Sequence, residues 1–414
     1  MDSEVLKKLR ALPRLAADAP SPHGIACKAC GGAVRFFDVV DFQKCCSIER
    51  PYAFGISGIP VPYFRCTHCR FVQTNFLDDW TEHDFREFIY NADYVKVDPE
   101  YELVRPEQQA LRLSQVLSRL RSCRILDYGS GTGLLRERLA SLGFTQVENF
   151  DPFSSPARPS GTFEIITCVE VLEHSVEPRR TIEDIASLLA PGGCVLFSTG
   201  IQPANIDELR ANWWYIGPRN GHISIFSIES LAILAQRCGL VLYGGQGDMA
   251  FGPVDPKGEI AALLATIGRR HVVLSLASPD NGLRSTRGSA DVESDPSSWH
   301  SVESGDAGRF RWSRSSRVSW TFGAAIRPPC TVEVLCPFTM EIRPGFASGC
   351  RIALGKNSAP VTVEGKTIVA RLQVDDVVEP TITLETPATV RPSELRDSVD
   401  RRELGLAIPV AHHS

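Results

Sequence analysis

The segment Cys123-Arg-Ile-Leu-Asp127-Tyr-Gly129-Ser-Gly131-Thr-Gly133-Leu-Leu constrains this chain more than any other. An apolar run ends in an acidic residue, passes through three glycines at alternate positions and opens a helical pattern near Leu134. Glycine has no Cβ, so such a turn can bend sharply and let a ligand approach the backbone. The spacing narrows the ligand. A dinucleotide-binding turn sets its third glycine three places after the second, and that place here is Leu134.

Further strand patterns come at regular intervals after the turn. Gln146-Val-Glu-Asn-Phe-Asp151 reads as a second strand ending in a carboxylate, 18 residues past Gly133, where an acidic side chain meets ribose hydroxyls in a nucleotide-binding fold. Phe163-Glu-Ile-Ile-Thr-Cys-Val169 is a continuous apolar run, the pattern of a strand buried on both faces. It leads into Glu170-Val-Leu-Glu173-His174, and Leu188-Leu-Ala-Pro-Gly192-Gly193-Cys-Val-Leu-Phe-Ser198 adds a helix end, a turn and another buried strand. Taken in order, the G-x-G-x-G turn after an aspartate, the acidic second strand, the E-V-L-E-H segment and the Pro-Gly-Gly strand resemble class I S-adenosylmethionine-dependent methyltransferases. The resemblance implies a Rossmann-like α/β sheet that binds S-adenosylmethionine. Asp127, Gly129, Gly131 and Gly133 would hold the methionine end of that cofactor, Asp151 its ribose, and Glu170 would stand at the same strand ends.

One stretch departs from the family. Between Asp151 and Phe163 lie eleven residues, three of them proline. A crossover helix alone needs at least ~10 residues, so the usual edge strand is expected to be missing. The wall of the adenine pocket must then come from elsewhere.

Two C-x-x-C pairs, Cys27-Lys-Ala-Cys30 and Cys66-Thr-His-Cys69, stand 35 residues apart. Two such pairs can close a tetrahedral structural zinc site. Buried free thiols are the alternative, and doubling of the motif disfavours them. Cys45, Cys46 and His68 leave room for a ligand swap, but the four outer cysteines are the expected ligands of Zn2+. Thirteen cysteines in the whole chain fit a reducing compartment. A ribbon ahead of such a domain resembles the sugar C-methyltransferases and certain RNA methyltransferases, and Gly58 to Thr74 looks more like the former. In that group Ile89-Tyr90-Asn-Ala-Asp93-Tyr94 resembles the aromatic approach to the cofactor, which puts Tyr94 among the cofactor contacts. Packing is the plainer role for both tyrosines.

Two histidines compete as the base that takes a proton from the acceptor: His174, and His222 in Trp213-Trp214-Tyr215-Ile-Gly-Pro-Arg219-Asn220-Gly-His222-Ile-Ser-Ile-Phe-Ser. A histidine titrating near ~6.5 suits a general base at neutral pH. The aromatics around His222 suit a sugar ring, and its H-x-S-x-F-S ending resembles an element of the sugar C-methyltransferases. Tyr215 joins the two histidines as a candidate catalytic residue. Either histidine could instead be structural, bonding a nearby carbonyl.

The expected division is a zinc-ribbon region over 1–95, the methyltransferase domain over 96–280, a linker over 281–308 and an antiparallel β-sandwich over 309–414. The sandwich rests on short alternating runs with turn residues between them, from Arg309–Trp312 to Leu404–Val410. It offers a surface for oligomer contacts. The tail after Pro392 faintly resembles tails of bacterial surface-polysaccharide assembly proteins. Net charge of −5 gives no electrostatic footing for nucleic acid. Met1–Ala17 is charged and amphipathic, and no run reaches the ~18 apolar residues of a membrane span. The expected protein is cytoplasmic and methylates a sugar, nucleotide-sugar or glycan at oxygen or carbon, as in polysaccharide or deoxysugar biosynthesis. Two alternatives are an RNA methyltransferase that grips RNA with its ribbon and a non-catalytic assembly module. Salt-dependent RNA binding separates the first, and methyl transfer from labelled cofactor the second.

Overall fold

The computed structural model describes residues 25–152, 157–245 and 247–275, then 293–294, 303–305, 308–314, 316–321, 328–338, 340–364, 366–376, 378, 381–387, 389, 404 and 406–409. Met1–Ala17, most of the expected linker and the tail from Pro392 to Arg402 lie outside the described residues.

The chain opens with β1 (Val34–Asp41), β2 (Pro60–Cys66) and β3 (Val72–Gln73), followed by α1 (Glu82–Phe88) and α2 (Val104–Val116). Thr81 and Asp84 close a capping box that starts α1. Next come β4 (Ile125–Tyr128), α3 (Leu134–Ser141), β5 (Val147–Phe150), β6 (Phe163–Val169), α4 (Pro178–Ser187) and β7 (Leu189–Ser198). The domain continues through β8 (Ser224–Ile225), α5 (Ile228–Arg237), β9 (Val241–Gly244), β10 (Met249–Gly252), α6 (Gly258–Ile267) and β11 (Arg270–Ser275).

β5, β4, β6 and β7 lie side by side and parallel, then β10, β9 and β11 continue the sheet antiparallel. β5 is the sheet's edge, so the strand expected to be missing is indeed absent among the described residues. All four residues of β4 are buried, as are five of the seven in β6. The covers explain this. α2, α3 and α6 bring Leu113, Leu135, Leu139 and Leu264 to one core, while α4 and α5 bring Ile182, Ile185 and Leu231 to another. Burying such apolar stripes against a sheet is what stabilises layered α/β folds.

The N-terminal strands form a second, small sheet in the order β1-β2-β3-β8. Its last member comes from the catalytic region, through the pairs Val72–Ile225 and Gln73–Ser224. Phe71 and Phe226 pack at 5.1 Å between ring centres, inside the core shared with α4 and α5. The ribbon is therefore built onto the domain and does not hang from it.

The sequence pattern puts an antiparallel β-sandwich in the C-terminal region. Its strands include β12 (Arg317–Thr321), β13 (Cys330–Pro337), β14 (Arg351–Leu354), β15 (Asn357–Pro360), β16 (Thr362–Glu364), β17 (Thr367–Val374) and β18 (Thr381–Glu385). β13, β17 and β16 extend the central sheet to ten strands, with β13 parallel to β11 from Arg270–Cys330 to Ser275–Leu335. The others pair as β12-β18-β14-β15 in a separate layer. Val318, Ile352 and Leu384 of that layer share a core with Val332, Ile368 and Leu372. The expected antiparallel β-sandwich over 309–414 thus departs from pattern in one respect, because β13 continues the central sheet parallel to β11. Among the described residues no helix is long and apolar enough to cross a membrane.

Candidate functional site

A cavity of about 810 Å³ opens at the carboxyl ends of β4, β5 and β6. Its walls include Asp127, Gly129, Gly131, Asp151, Glu170, His174, Tyr94, Tyr215 and His222, so nearly all the sequence-derived candidates meet in one space. Gly133 is the exception. At φ +83° it precedes α3, and a Cβ there would stand 2.6 Å from Asn149 Nδ2, so its place is the turn's packing and not the cavity wall.

The glycine turn is held from the second strand. Gly131 N–H donates to Asp151 Oδ2 at 2.8 Å. Gly129 and Gly131 have φ of +77° and +51°, where side chains are strained. Asp127 is buried and accepts from Thr167 Oγ1 at 2.9 Å. Burial pushes its carboxyl up to about 7, with Asp151 adding to the rise and Thr167 opposing it. A buried carboxylate beside a second one suits a cationic ligand group. The open turn, the paired acids and the cavity's size fit S-adenosylmethionine.

Glu170 sits where β6 ends, at φ +52°, a backbone state uncommon for a residue with a Cβ. Ser198 donates to its Oε1 at 2.7 Å. Tyr215 donates its hydroxyl to Glu173 Oε1 at 2.7 Å and lies 3.2 Å from Glu170 Oε2. Burial and the neighbouring Glu173 push Glu170 up to about 8, and burial raises Glu173 as well. The two carboxyls thus share the Tyr215 hydroxyl as a donor in a nearly dry corner of the site.

The two histidines face each other with ring centres 4.9 Å apart. His174 Nδ1 lies 3.2 Å from Gly221 O, and His222 Nδ1 lies 2.9 Å from Tyr215 O. A carbonyl only accepts, so each Nδ1 carries hydrogen and each Nε2 keeps its lone pair. Burial holds His174 down to about 4 and His222 well below its usual range. Both are neutral at pH 7.

The loop bearing His222 is fastened from the N-terminal region. Tyr63 donates to His222 O at 2.7 Å, Lys44 Nζ to Trp213 O at 3.1 Å, and Cys46 N–H to Asn220 Oδ1 at 2.8 Å. Arg219 reaches back to Ile89 O at 2.9 Å. Trp213 is core, whereas Trp214 is 44% exposed and lines the cavity. Tyr94 also lines it, buried between Tyr90 and Tyr101. Trp80, Tyr101 and Arg105 complete this wall and carried no signal of their own in the sequence. Glu173 was visible within the E-V-L-E-H segment, but its bond to Tyr215 was not.

The four outer cysteines converge where β2 ends at Cys66. Their sulfurs lie within 4.8 Å of one another, with Cys27–Cys69 and Cys30–Cys66 both at 3.5 Å. A tetrahedral zinc with bonds of ~2.3 Å needs sulfurs about 3.8 Å apart. The two loops repeat one conformation. Cys27 N–H bonds Gly32 O and Cys66 N–H bonds Phe71 O, while Gly31 and Arg70 both have positive φ. Backbone N–H groups of Gly32 and His68 point at Cys30 and Cys66 sulfurs at 3.3 Å. The donor set and its polarity fit a closed metal site. Cys45 and Cys46 lie elsewhere, Cys46 beside His222 at 3.2 Å.

A family described as a methyltransferase domain matches residues 101–243. The ubiquinone biosynthesis O-methyltransferase of Paraburkholderia xenovorans is 34% identical over 100 residues, 18% of this chain and 43% of that protein. The protein of the same name from Vibrio parahaemolyticus is 33% identical over 118 residues, 22% of this chain and 50% of its own. The chain thus spans about half the length of the curated relatives it matches. An O-methyltransferase family protein from Burkholderia thailandensis superposes with a TM-score of 0.32 at 13% identity, over 43% of this chain and 64% of its own. The N-methyltransferase NodS from Bradyrhizobium japonicum, bound to S-adenosylhomocysteine, gives 0.26 at 19% identity, over 43% and 100%. With the glycine turn, the paired strand-end acids and the cavity they border, this sequence match makes residues 101–243 a class I S-adenosylmethionine-dependent methyltransferase domain.

Proposed function

We propose that the chain is a methyltransferase that moves the methyl group of S-adenosylmethionine to a hydroxyl or an activated carbon of a sugar, nucleotide-sugar or glycan. One observation carries this reading: a single cavity joins the glycine turn to an aromatic wall and two histidines with free Nε2 lone pairs. The cofactor supplies a methyl group already activated by a sulfonium charge. The protein's part is to align the acceptor, exclude water and lower the cost of losing the acceptor's proton. Tyr94, Trp214 and Tyr215 offer faces for a ring, and His222 or His174 an acceptor for the proton. Asp127 and the turn would hold the methionine end, Asp151 the ribose, and the four outer cysteines a structural Zn2+. The C-terminal strands then serve as an accessory layer or a contact surface.

The names of the relatives favour a second acceptor, a phenolic hydroxyl, on the same cofactor chemistry. Transfer of labelled methyl from the cofactor to a panel of nucleotide-sugars, lipid-linked glycans and catechols separates the two. Label in the sugars supports the first reading, label in the catechols the second, and failure to bind S-adenosylhomocysteine by calorimetry overturns both.

A further inference from the structure

Two cavity-wall residues, His174 and His222, come together with the buried Glu173, each offering one ligating atom, all within 4.8 Å of one another. Both histidines spend Nδ1–H on backbone carbonyls, at Gly221 and Tyr215, which leaves both Nε2 atoms as lone-pair donors. That arrangement, a ring N–H tied to a carbonyl, is how proteins orient metal-bound imidazoles. Glu173 is fully buried, yet its Oε2 has no hydrogen-bond partner, while Oε1 takes the Tyr215 hydroxyl. Leaving a buried carboxylate oxygen unsatisfied is costly unless something else meets it.

We propose that Glu173, His174 and His222 bind a divalent first-row cation on the acceptor side of the cavity. Two imidazoles and one carboxylate suit zinc, manganese, iron(II) or cobalt, and leave positions open for other ligands. Bonds of ~2.1 Å would draw the three atoms to roughly 3–3.4 Å apart, from the 4.8 Å within which they now lie. His174 and His222 line the cavity, so the open positions face the acceptor. The site's role rests on the methyl-transfer reading above. An acceptor hydroxyl on the ion loses its proton to water, and the oxygen attacks the sulfonium methyl. A C–O bond forms, the C–S bond breaks with its electron pair left on sulfur, and the products are a methyl ether, S-adenosylhomocysteine and a proton. In this arrangement the imidazoles are ligands, and the ion lowers the cost of deprotonation.

The test uses the full-length protein with its cysteine site loaded with zinc, titrated with Mn2+ and followed by electron paramagnetic resonance. Mn2+ disfavours thiolates, so it reports the nitrogen-oxygen site. One ion per chain is expected, with affinity reduced at least about tenfold in both His174→Ala and Glu173→Gln. Calorimetry with S-adenosylhomocysteine on the same samples shows whether each variant is folded. Should Glu173→Gln fail to fold, His174→Ala, on the cavity wall, decides. No specific Mn2+ or Zn2+ uptake by a protein that binds S-adenosylhomocysteine overturns the proposal and leaves methyl transfer standing. Uptake unchanged in His174→Ala also overturns it. Metal uptake without S-adenosylhomocysteine binding keeps the site and removes its proposed role.

Discussion

Arg70, the residue after the fourth outer cysteine, donates Nη1 to Glu229 Oε1 at 2.6 Å and thereby ties the ribbon to the first turn of α5. Its Nε reaches Glu364 at 2.6 Å, and Arg371 meets Glu229 at 3.1 Å and Glu333 at 2.9 Å. Three carboxylates and two guanidiniums from the ribbon, the methyltransferase domain and the C-terminal strands thus share one site, in which Arg70, Glu229 and Glu333 are buried and Arg371 is half exposed. Against burial, Arg70 holds Glu229 down to about 2, whereas burial and the Glu229 charge push Glu333 up to about 9. Glu229 is the charged partner and Glu333 keeps a proton.

Removing the charged side should be severe. Arg70→Ala strands buried carboxylates and is expected to cost roughly 3–5 kcal/mol in urea unfolding. Glu333→Gln mimics the protonated acid without an ionisable group in the unfolded chain, so it should match wild type below pH 4.5 and be the more stable of the two at pH 7. Because the folded Glu333 value lies above the unfolded one, its contribution is complete below about 4.5 and is lost as pH rises through 9. Wild-type protein should therefore lose more stability than Glu333→Gln between pH 6 and pH 9. Equal losses would show that Glu333 is ionised throughout.

The ribbon's metal should matter for the acceptor side before the cofactor side. Cys66→Ser or a strong chelator removes one of four thiolates or the ion itself, and a structural zinc commonly supplies several kcal/mol of folding free energy. The sulfurs lie next to β2 and β3, and β3 pairs with β8 beyond the His222 loop. Among the described residues, β4, which leads into the glycine turn, pairs with β5 and β6 and not with a strand of the ribbon. The expected outcome is a lower melting temperature and lost acceptor turnover, with S-adenosylhomocysteine affinity kept within about threefold. Calorimetry showing equal loss of cofactor binding would refute that order.

The parts that sequence made legible are those set by local pattern. The apolar run Phe163–Val169 is a strand over those same residues, and Leu134 does begin a helix. The missing edge strand followed from chain length between Asp151 and Phe163. What stayed hidden is pairing at a distance. Nothing near Cys330 announces that it will lie beside Arg270, because an alternating strand fits an outer sheet and a central one equally well. The same holds for the site. Glu170, Glu173 and His174 were conspicuous as a segment, whereas the Tyr215 bond to Glu173 depends on a loop some forty residues away.

Two of the three turn glycines separate packing from ligand approach. A Cβ on Gly129 would stand 2.4 Å from Val171 Cγ2, so Gly129→Ala must move β6's exit and should weaken folding and binding together. A Cβ on Gly131 meets nothing within 4 Å and projects toward space that the cavity occupies. Its backbone strain alone costs about 1–2 kcal/mol. Gly131→Ala should therefore stay folded by circular dichroism while its S-adenosylhomocysteine affinity falls at least tenfold. Unchanged affinity in that variant would place the cofactor elsewhere.

Asp127 should make cofactor binding depend on pH. In the empty site burial lifts its carboxyl to about 7, so at pH 6 most molecules carry a proton there. A cationic amino group binds the ionised form, and affinity should rise between pH 5.5 and pH 7 by up to about tenfold per unit, then level off. Asp127→Asn should abolish that rise and bind weakly throughout. Stability of the empty protein runs the other way. The raised carboxyl contributes fully below about 3.8 and loses that contribution as pH climbs through 7. At pH 8 the asparagine variant, free of a buried charge, should unfold at higher urea than wild type by an amount worth a few kcal/mol at most. That advantage should shrink toward pH 4 and vanish below it. A wild-type protein whose stability and cofactor affinity are both flat from pH 5.5 to pH 8 would mean that Asp127 is already ionised, with a cationic partner of its own.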